Sequence, residues 1–463
     1  MSRDELKKEQ ARDSRGARFD KDWTKGSILG NLWGLSWPMI VTQAVTTLGP
    51  TLDMIWVGKL GAAAIAGVGI AGMVVQVAGS ARMGLQTGTR AIVARFMGAG
   101  DEQGANHVAQ QYFLISIAFG IVMAALGFLS RQMLLLGLEA DVVDQGAAYL
   151  RIQLFGMVTM SFQMMSQSLM QASGDAKTPM KISIWTRLLH VGLAPILIFG
   201  WWLFPRMGVS GAALTNVVSQ GVAGGWGLWI LYTGRSRLRL TMRNFSFDGR
   251  MIWRIIKIGI PVAINWTERT SANLLVTWFV VPFGTVAVAA HSLMERVDNI
   301  VRMPSMGIGN AAGVLAGQNL GAGQPERAEK TGWLAVGMFS SIMLLISVIL
   351  WFWPEYVISI FNTEPTLVET TITFLRIQIV GFMMLGFIIT LMNCLNGVGD
   401  TWVPTLNTMI TMWLVQMPLA YFLPKYTSLG VNGVRWAIVA AMVIRAAVFA
   451  VYFKTGRWKN KEI

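Results

Sequence analysis

The sequence predicts an all-α integral membrane protein, with twelve transmembrane helices in two parallel six-helix repeats. Three observations carry that prediction. Of 463 residues, 54% are AVILMFWYC and only 13% are Asp, Glu, Lys or Arg, with a mean hydropathy of +0.51. A soluble protein carries roughly 25% charged residues, so this chain could not cover its surface with polar groups in water. The apolar residues also come in runs of about 20 or more, the length that crosses a bilayer, rather than at amphipathic spacing. Finally, the second half of the chain repeats the first.

Taken in order, residues 1–29 are polar and charged with no apolar stretch before a cleavage site, which predicts a cytoplasmic segment and no signal peptide. Spans at 33–57, 62–97, 106–130, 146–172, 179–203 and 208–232 form an N-lobe within 30–233. A basic linker follows at 234–251. Spans at 252–281, 285–319, 328–353, 367–396, 403–424 and 430–453 form a C-lobe within 252–454, and 455–463 is a cytoplasmic tail. The spans 62–97 and 285–319 are longer than a bilayer needs and are expected to tilt or protrude. Lys177, Lys181, Arg235, Arg237, Arg239 and Arg243 fall on one side of the membrane. Glu139, Asp141, Asp144, Glu355, Glu364 and Glu369 fall on the other. The positive-inside rule then places both termini in the cytoplasm of a multi-pass protein of the plasma (inner) membrane.

That placement absorbs most of the net charge of +14, which sets topology and argues against nucleic acid as a partner. The expected partners are the bilayer and a small-molecule substrate, with the chain a monomer. Cys394 is the single cysteine, so no intramolecular disulfide forms, and His107, His190 and His291 lack metal-ligand spacing. Neither a metal nor a cofactor is expected, and no catalytic spacing points to an enzyme.

The repeat is read directly. MGLQTGTRAIVARFMGAGDEQGA starts at Met83, and MGIGNAAGVLAGQNLGAGQPERA starts 223 residues later at Met306. YLRIQLFG at Tyr149 and FLRIQIVG at Phe374 lie 225 apart, as do Asp175 and Asp400. Pro38 with Pro261, Gly61 with Gly284 and Pro195 with Pro418 pair at 223. Six spans return the chain to its starting side, so the two copies run parallel about an axis along the membrane normal. Transporters built this way hold substrate between the halves and alternate access by rocking.

The GAG turn at Gly98 to Gly100, AAH at Ala289 to His291, GQNLGAGQPERA from Gly317, the YLRIQ and FLRIQ pair, SGDAKTPMK from Ser173 and MGVSGAA from Met207 together resemble the multidrug and toxic compound extrusion (MATE) family. The resemblance spans about residues 30 to 455. It implies a two-lobed exporter of amphipathic, mostly cationic small molecules, driven by inward H+ or Na+.

An ion-coupled exporter needs an acid in a membrane-embedded cavity, where one proton or ion changes the local electrostatics most. Asp53 is the first candidate. Thr42, Thr46, Gly49 and Asp53 share one helical face, and Pro50 removes a backbone hydrogen bond there, allowing a helix bend beside the carboxylate. Family members carry an acid at this position, the resemblance implies. Glu268 follows, on a face with Asn265 and Ser271. The family's seventh-span acid aligns with Arg269, one residue on, which is about 100° around the helix. Glu295, Asp298 and Arg302 form a charged cluster in which Asp298 and Arg302 are i, i+4 partners. Gln163, Gln167 and Gln171 share a face of the fourth span, read either as cavity lining or as interhelical hydrogen bonding. Thr42, Thr46, Gln163, Gln167, Asn265 and Arg269 are the expected substrate-cavity residues. Two ion positions of relatives are replaced here, by His190 with Ala194 and by Leu385.

The sequence thus predicts a secondary active multidrug exporter, coupled to H+ or Na+ at Asp53 with Glu268 as partner. Arg82, Arg90, Arg151, Arg187, Arg269, Arg296 and Arg376, all within or near spans, keep open a flippase of the same architecture for an anionic or lipid-linked substrate. A non-coupled channel or receptor is the alternative of another class.

Overall fold

The computed structural model describes residues 21–134, 139–201, 204–243, 245–361 and 364–461, with the side chain of Pro50 excepted. Most of the N-terminal segment therefore lies outside the described residues. Among those residues, twelve long helical rods follow one another. In the N-lobe they are α1 (Ile28–Val57), α2 (Ala62–Gly98), α3 (Glu102–Gly127), α4 (Ala140–Phe155 and Met157–Ala172, divided by Gly156), α5 (Lys177–Phe199) and α6 (Gly208–Thr233). In the C-lobe they are α7 (Gly249–Val280), α8 (Thr285–Gly321), α9 (Pro325–Phe352), α10 (Pro365–Gly397), α11 (Trp402–Tyr426) and α12 (Asn432–Thr455). Single π turns, Gly386–Thr390 and Thr411–Gln416, widen α10 and α11.

Three rods start at a side chain that satisfies a free amide. Ser27 Oγ accepts from Gly30 at 3.3 Å, Asp101 Oδ1 from Gly104 at 2.8 Å, and Asp248 Oδ1 from Arg250 and Met251 at 2.9 and 3.0 Å. α2 and α8 end alike in the two lobes. Gly100 and Gly323, 223 residues apart, both take a left-handed turn, with φ of +75° and +70°, a conformation a Cβ would penalise. α2 and α8 run 37 residues each, about 55 Å, so both outrun the hydrocarbon.

Seven rods are apolar enough to cross a membrane on length and composition alone: α2, α3, α5, α9, α10, α11 and α12. Of the other five, α4 is broken at Gly156 into two 16-residue halves, and α1, α6, α7 and α8 each contribute polar side chains to a cavity wall. Polarity there reflects what the rods face, since the cavities lie inside the bundle.

α1 packs on α8 and α2 on α7. Exchanging the two repeats converts one contact into the other, so the sequence repeat is also a structural one. Lipid tails supply no hydrophobic drive between helices, and close backbone approach takes its place. A Cβ at Gly84 would collide with the backbone of Gly259, one at Gly88 with the Ile255 carbonyl, one at Gly307 with Ile40 and one at Gly321 with Arg95. All four seams lie in the half nearer the basic loops, so the lobes are closed there. Beyond Ser80 Oγ to Thr267 Oγ1 (2.8 Å) and Gln76 Nε2 to Thr270 Oγ1 (3.3 Å) they part towards the acidic loops.

Boundaries moved at a few places. α3 begins at Glu102, inside a capping turn whose polarity hides it, and α5 stops at Phe199 because Gly200 turns left-handed, with φ of +74°. The linker is held in place: Asn106 and Gln110 bond the backbone of Thr241, and Gln111 bonds Ser246.

Candidate functional site

Two cavities lie between and beside the lobes. The outer one, about 570 Å³, opens towards the acidic loops. Its polar wall includes Asp53, Gln76, Arg82, Gln153, Asn216 and Thr267. The inner one, about 160 Å³, lies behind it between the lobes, walled by Arg90, Arg269, Gln86, Gln167, Gln171 and Asn265, with Thr46 also reaching it. Met83 and Trp266 belong to both walls, which makes the two spaces neighbours across one partition.

Asp53 is buried near the end of α1 with both carboxylate oxygens engaged. His190 Nε2, on α5, stands 2.6 Å from Oδ1, and Asn216 Nδ2, on α6, donates to Oδ2 at 2.6 Å. Gln220 in turn donates to the Asn216 carbonyl at 3.2 Å. Three helices thus converge on one acid. Arg187, one turn before His190, donates from Nε to the Val45 carbonyl at 3.1 Å and lays its guanidinium against Gly49, in the space that a Cβ there would take. His190 was visible in the sequence as a replaced family position, and Asn216 carried no signal.

Thr42 does not reach either cavity. Its hydroxyl is buried and donates to the Pro38 carbonyl at 2.8 Å, the usual recourse of a threonine inside a helix. Thr46 likewise bonds the Thr42 carbonyl. Gln163 lines a separate cleft inside the N-lobe with Ser183 and Arg187, one turn along α4 from Gln167, which with Gln171 lines the inner cavity. Pro50 falls within α1, and its side chain lies outside the described residues.

In the C-lobe, α7 turns Asn265 and Arg269 to the inner cavity and Glu268 away from it. Glu268 is buried, neither of its oxygens has a hydrogen-bond partner, and Arg445, Trp413 and Arg269 are the groups that act on it. Asp298 is buried too, facing Arg302, Arg435 and Glu295. The expected contact between Asp298 and Arg302 does not form: no ion pair within 4.0 Å joins them. The Arg302 guanidinium stands among Asp298, Arg269 and Arg445 and is bound to none of them. Arg435, fully buried, donates to His291 Nδ1 at 2.8 Å and lies 5.0 Å over the Phe374 ring. Arg445 donates to Thr411 Oγ1 at 2.7 Å. Sequence reasoning passed over both of these α12 arginines, although buried acids on α7 and α8 call for counter-charges.

Of the remaining arginines singled out, Arg151 and Arg296 are exposed, and Arg376 lies 5.9 Å over Trp351.

Two repeated lobes, closed at one face, parted at the other and walled by polar and charged groups, define a multi-pass membrane transporter. The chain matches the MatE family over residues 38–196 and 261–422, one stretch in each lobe, and belongs to that multidrug and toxic compound extrusion family. A probable multidrug resistance protein NorM of Thermotoga maritima is 26% identical over 436 residues, 93% of each chain. The probable multidrug resistance protein YpnP of Bacillus subtilis is 26% identical over 449 residues, 96% of this chain and 98% of its own. Among solved structures, a multidrug resistance MATE transporter in an outward-facing conformation superposes with a TM-score of 0.87 at 23% identity, over 94% of this chain and 96% of that one. A MOP superfamily transporter of Pyrococcus furiosus, described as having a binding pocket of reverse polarity, superposes at 0.86 with 24% identity, over 95% and 98%. At these identities the structural likeness is one of fold.

Proposed function

We propose that this chain is a proton-coupled exporter of an amphipathic small molecule that works by rocking its two lobes about the α1–α8 and α2–α7 contacts. The observation that carries the reading is Asp53: one buried carboxylate on the wall of the open cavity, held by an imidazole and an amide. Its bound atoms are a His nitrogen and an Asn nitrogen, partners that suit a shared proton. Na+, a hard cation, takes oxygen ligands instead. Adding one proton to the Asp53–His190 pair changes its charge from −1 to 0. In a low-dielectric wall that change weakens the hold of Asp53 on Asn216 and on the nearby Arg187, the groups that pin α1 to α5 and α6. α1 is then free to shift, and occupancy by a proton or by cargo selects which face is open.

Glu268, turned away from both cavities, balances Arg445 and Arg269 in this scheme and does not carry the coupling proton. The basic face is cytoplasmic, in a plasma-membrane protein that functions as a monomer.

The test is transport by proteoliposomes under an imposed pH gradient. Wild-type protein is expected to drive uphill movement of a substrate dye, and Asp53→Asn to abolish it while equilibrating fluxes persist. His190→Gln is expected to keep transport but move its pH optimum. Gradient-driven transport at the wild-type rate by Asp53→Asn would remove Asp53 from the mechanism. A response to a Na+ gradient alone would replace the coupling ion.

A further inference from the structure

Among the residues of the inner cavity wall there are two ionisable groups, Arg90 and Arg269, and no carboxylate. Arg90 is buried on α2, where no acid lies within ion-pairing distance of it and its Nε has no hydrogen-bond partner. Arg269 projects from α7 on the opposite lobe, also without an ion pair among the described residues; Arg302 and Arg445 act on it as like charges, and Glu295 and Asp298, neither of them on the cavity wall, act with opposite sign. Around them the wall is built of amides, from Gln86, Gln167, Gln171 and Asn265 among others. The Asn265 Nδ2 donor is buried with nothing to donate to. Two guanidiniums and an idle amide donor, converging from both lobes on one space, form a receptor for negative charge. A cation there would meet two guanidiniums and no carboxylate on the wall.

Next to this polar chamber, across Met83 and Trp266, the outer cavity offers an apolar wall that includes Met54, Met73, Val77 and Met160. We propose that the inner cavity seats the oxyanion head of an amphipathic solute, a carboxylate, phosphate or sulfonate, held jointly by Arg90 and Arg269 while its apolar tail lies in the outer cavity. Because one arginine belongs to each lobe, the bound oxyanion bridges them, and cargo binding is coupled to lobe position. This deepens the exporter reading above and reverses the charge that the family resemblance implies for the cargo. The same head chemistry could come from a soluble amphiphile or from a lipid headgroup.

The inference is tested by binding to the full-length protein in nanodiscs, with no gradient, so the outcome is independent of proton coupling. Octyl phosphate and octyltrimethylammonium share a tail and differ in head charge. Octyl phosphate is expected to bind at least about tenfold more tightly. Arg90→Gln and Arg269→Gln are each expected to weaken it by about tenfold, the usual effect of losing one charge-assisted hydrogen bond. Arg90→Lys and Arg269→Lys, which keep the charge, should recover part of that loss and serve as folded controls. Equal or tighter binding of the ammonium probe, or octyl phosphate affinity untouched in both glutamine variants, would overturn the proposal. Changing the nanodiscs from phosphatidylcholine to phosphatidylglycerol tells the sources apart: unchanged octyl phosphate affinity assigns the site to a soluble amphiphile, and competition assigns it to a lipid headgroup.

Discussion

The two lobes share a scaffold and differ in what they bury. The N-lobe interior holds Asp53, and both of its oxygens are bound. The C-lobe interior holds Glu268, Glu295 and Asp298 with Arg269, Arg302, Arg435 and Arg445, and among the described residues no ion pair within 4.0 Å joins any of them. Compensation there acts through the field rather than through contact. The histidines show the same split. His190 faces a carboxylate, with its Nε2 2.6 Å from Asp53 Oδ1. His291 faces the Arg435 guanidinium, which can only donate, so the His291 Nδ1 is unprotonated. One lobe buries an acid with both oxygens bonded, and the other a set of charges with no ion pair among them.

Three experiments bear on that contrast. The largest effect is expected in transport: Glu268→Gln should leave gradient-driven export close to wild type in the same proteoliposome assay that Asp53→Asn is expected to silence. If the two variants behave alike, the contrast fails. Next comes stability. Arg435→Met removes the donor to His291 and a counter-charge of Asp298, a change expected to cost about 3 kcal/mol, read as a lower melting temperature of the purified protein. Adding Asp298→Asn should return part of that loss, because the uncompensated charge goes with it. No recovery in the double variant would mean that Arg435 acts through packing on Phe374 alone.

The smallest effect lies outside both interiors. Asp248 caps α7, and its carboxyl is held below the usual Asp range by the Met251 amide and then by His107 of α3. A depressed carboxyl stabilises above its ordinary pKa, and that contribution is lost as pH falls through the lower folded value. Melting temperatures of wild type and Asp248→Asn should therefore differ slightly at neutral pH and converge on acidification. A gap that persists in acid would show that capping geometry, not charge, is what Asp248 supplies.

The scaffold was legible in the sequence because apolar runs and a fixed offset are local or periodic signals. Pairs such as Met83 with Met306 locate the halves and their direction. The charged interiors were not legible, for two reasons. The partners of Asp53 are 137 and 163 residues away in the chain, beyond any local pattern. Nor does the repeat help: 223 residues after Asp53 stands Val276, and 223 before Glu268 stands Val45. The duplication preserved packing and let the ionic groups diverge. Helical spacing did place Asn265, Gln167 and Arg269 on cavity walls. It misassigned Thr42, whose hydroxyl closes on its own helix, a choice that spacing cannot reveal.

The glycine seams between the lobes have a mechanical meaning. Where Gly84 meets Gly259 and Gly88 meets the Ile255 carbonyl, backbone lies on backbone with no side chain keyed into a socket. Such a clasp slides apart without any rotamer having to unlock. Its strength comes from many contacts worth about 0.1–0.2 kcal/mol each. It can therefore hold one face shut and still release, and one added methyl at Gly88 would act as a doorstop.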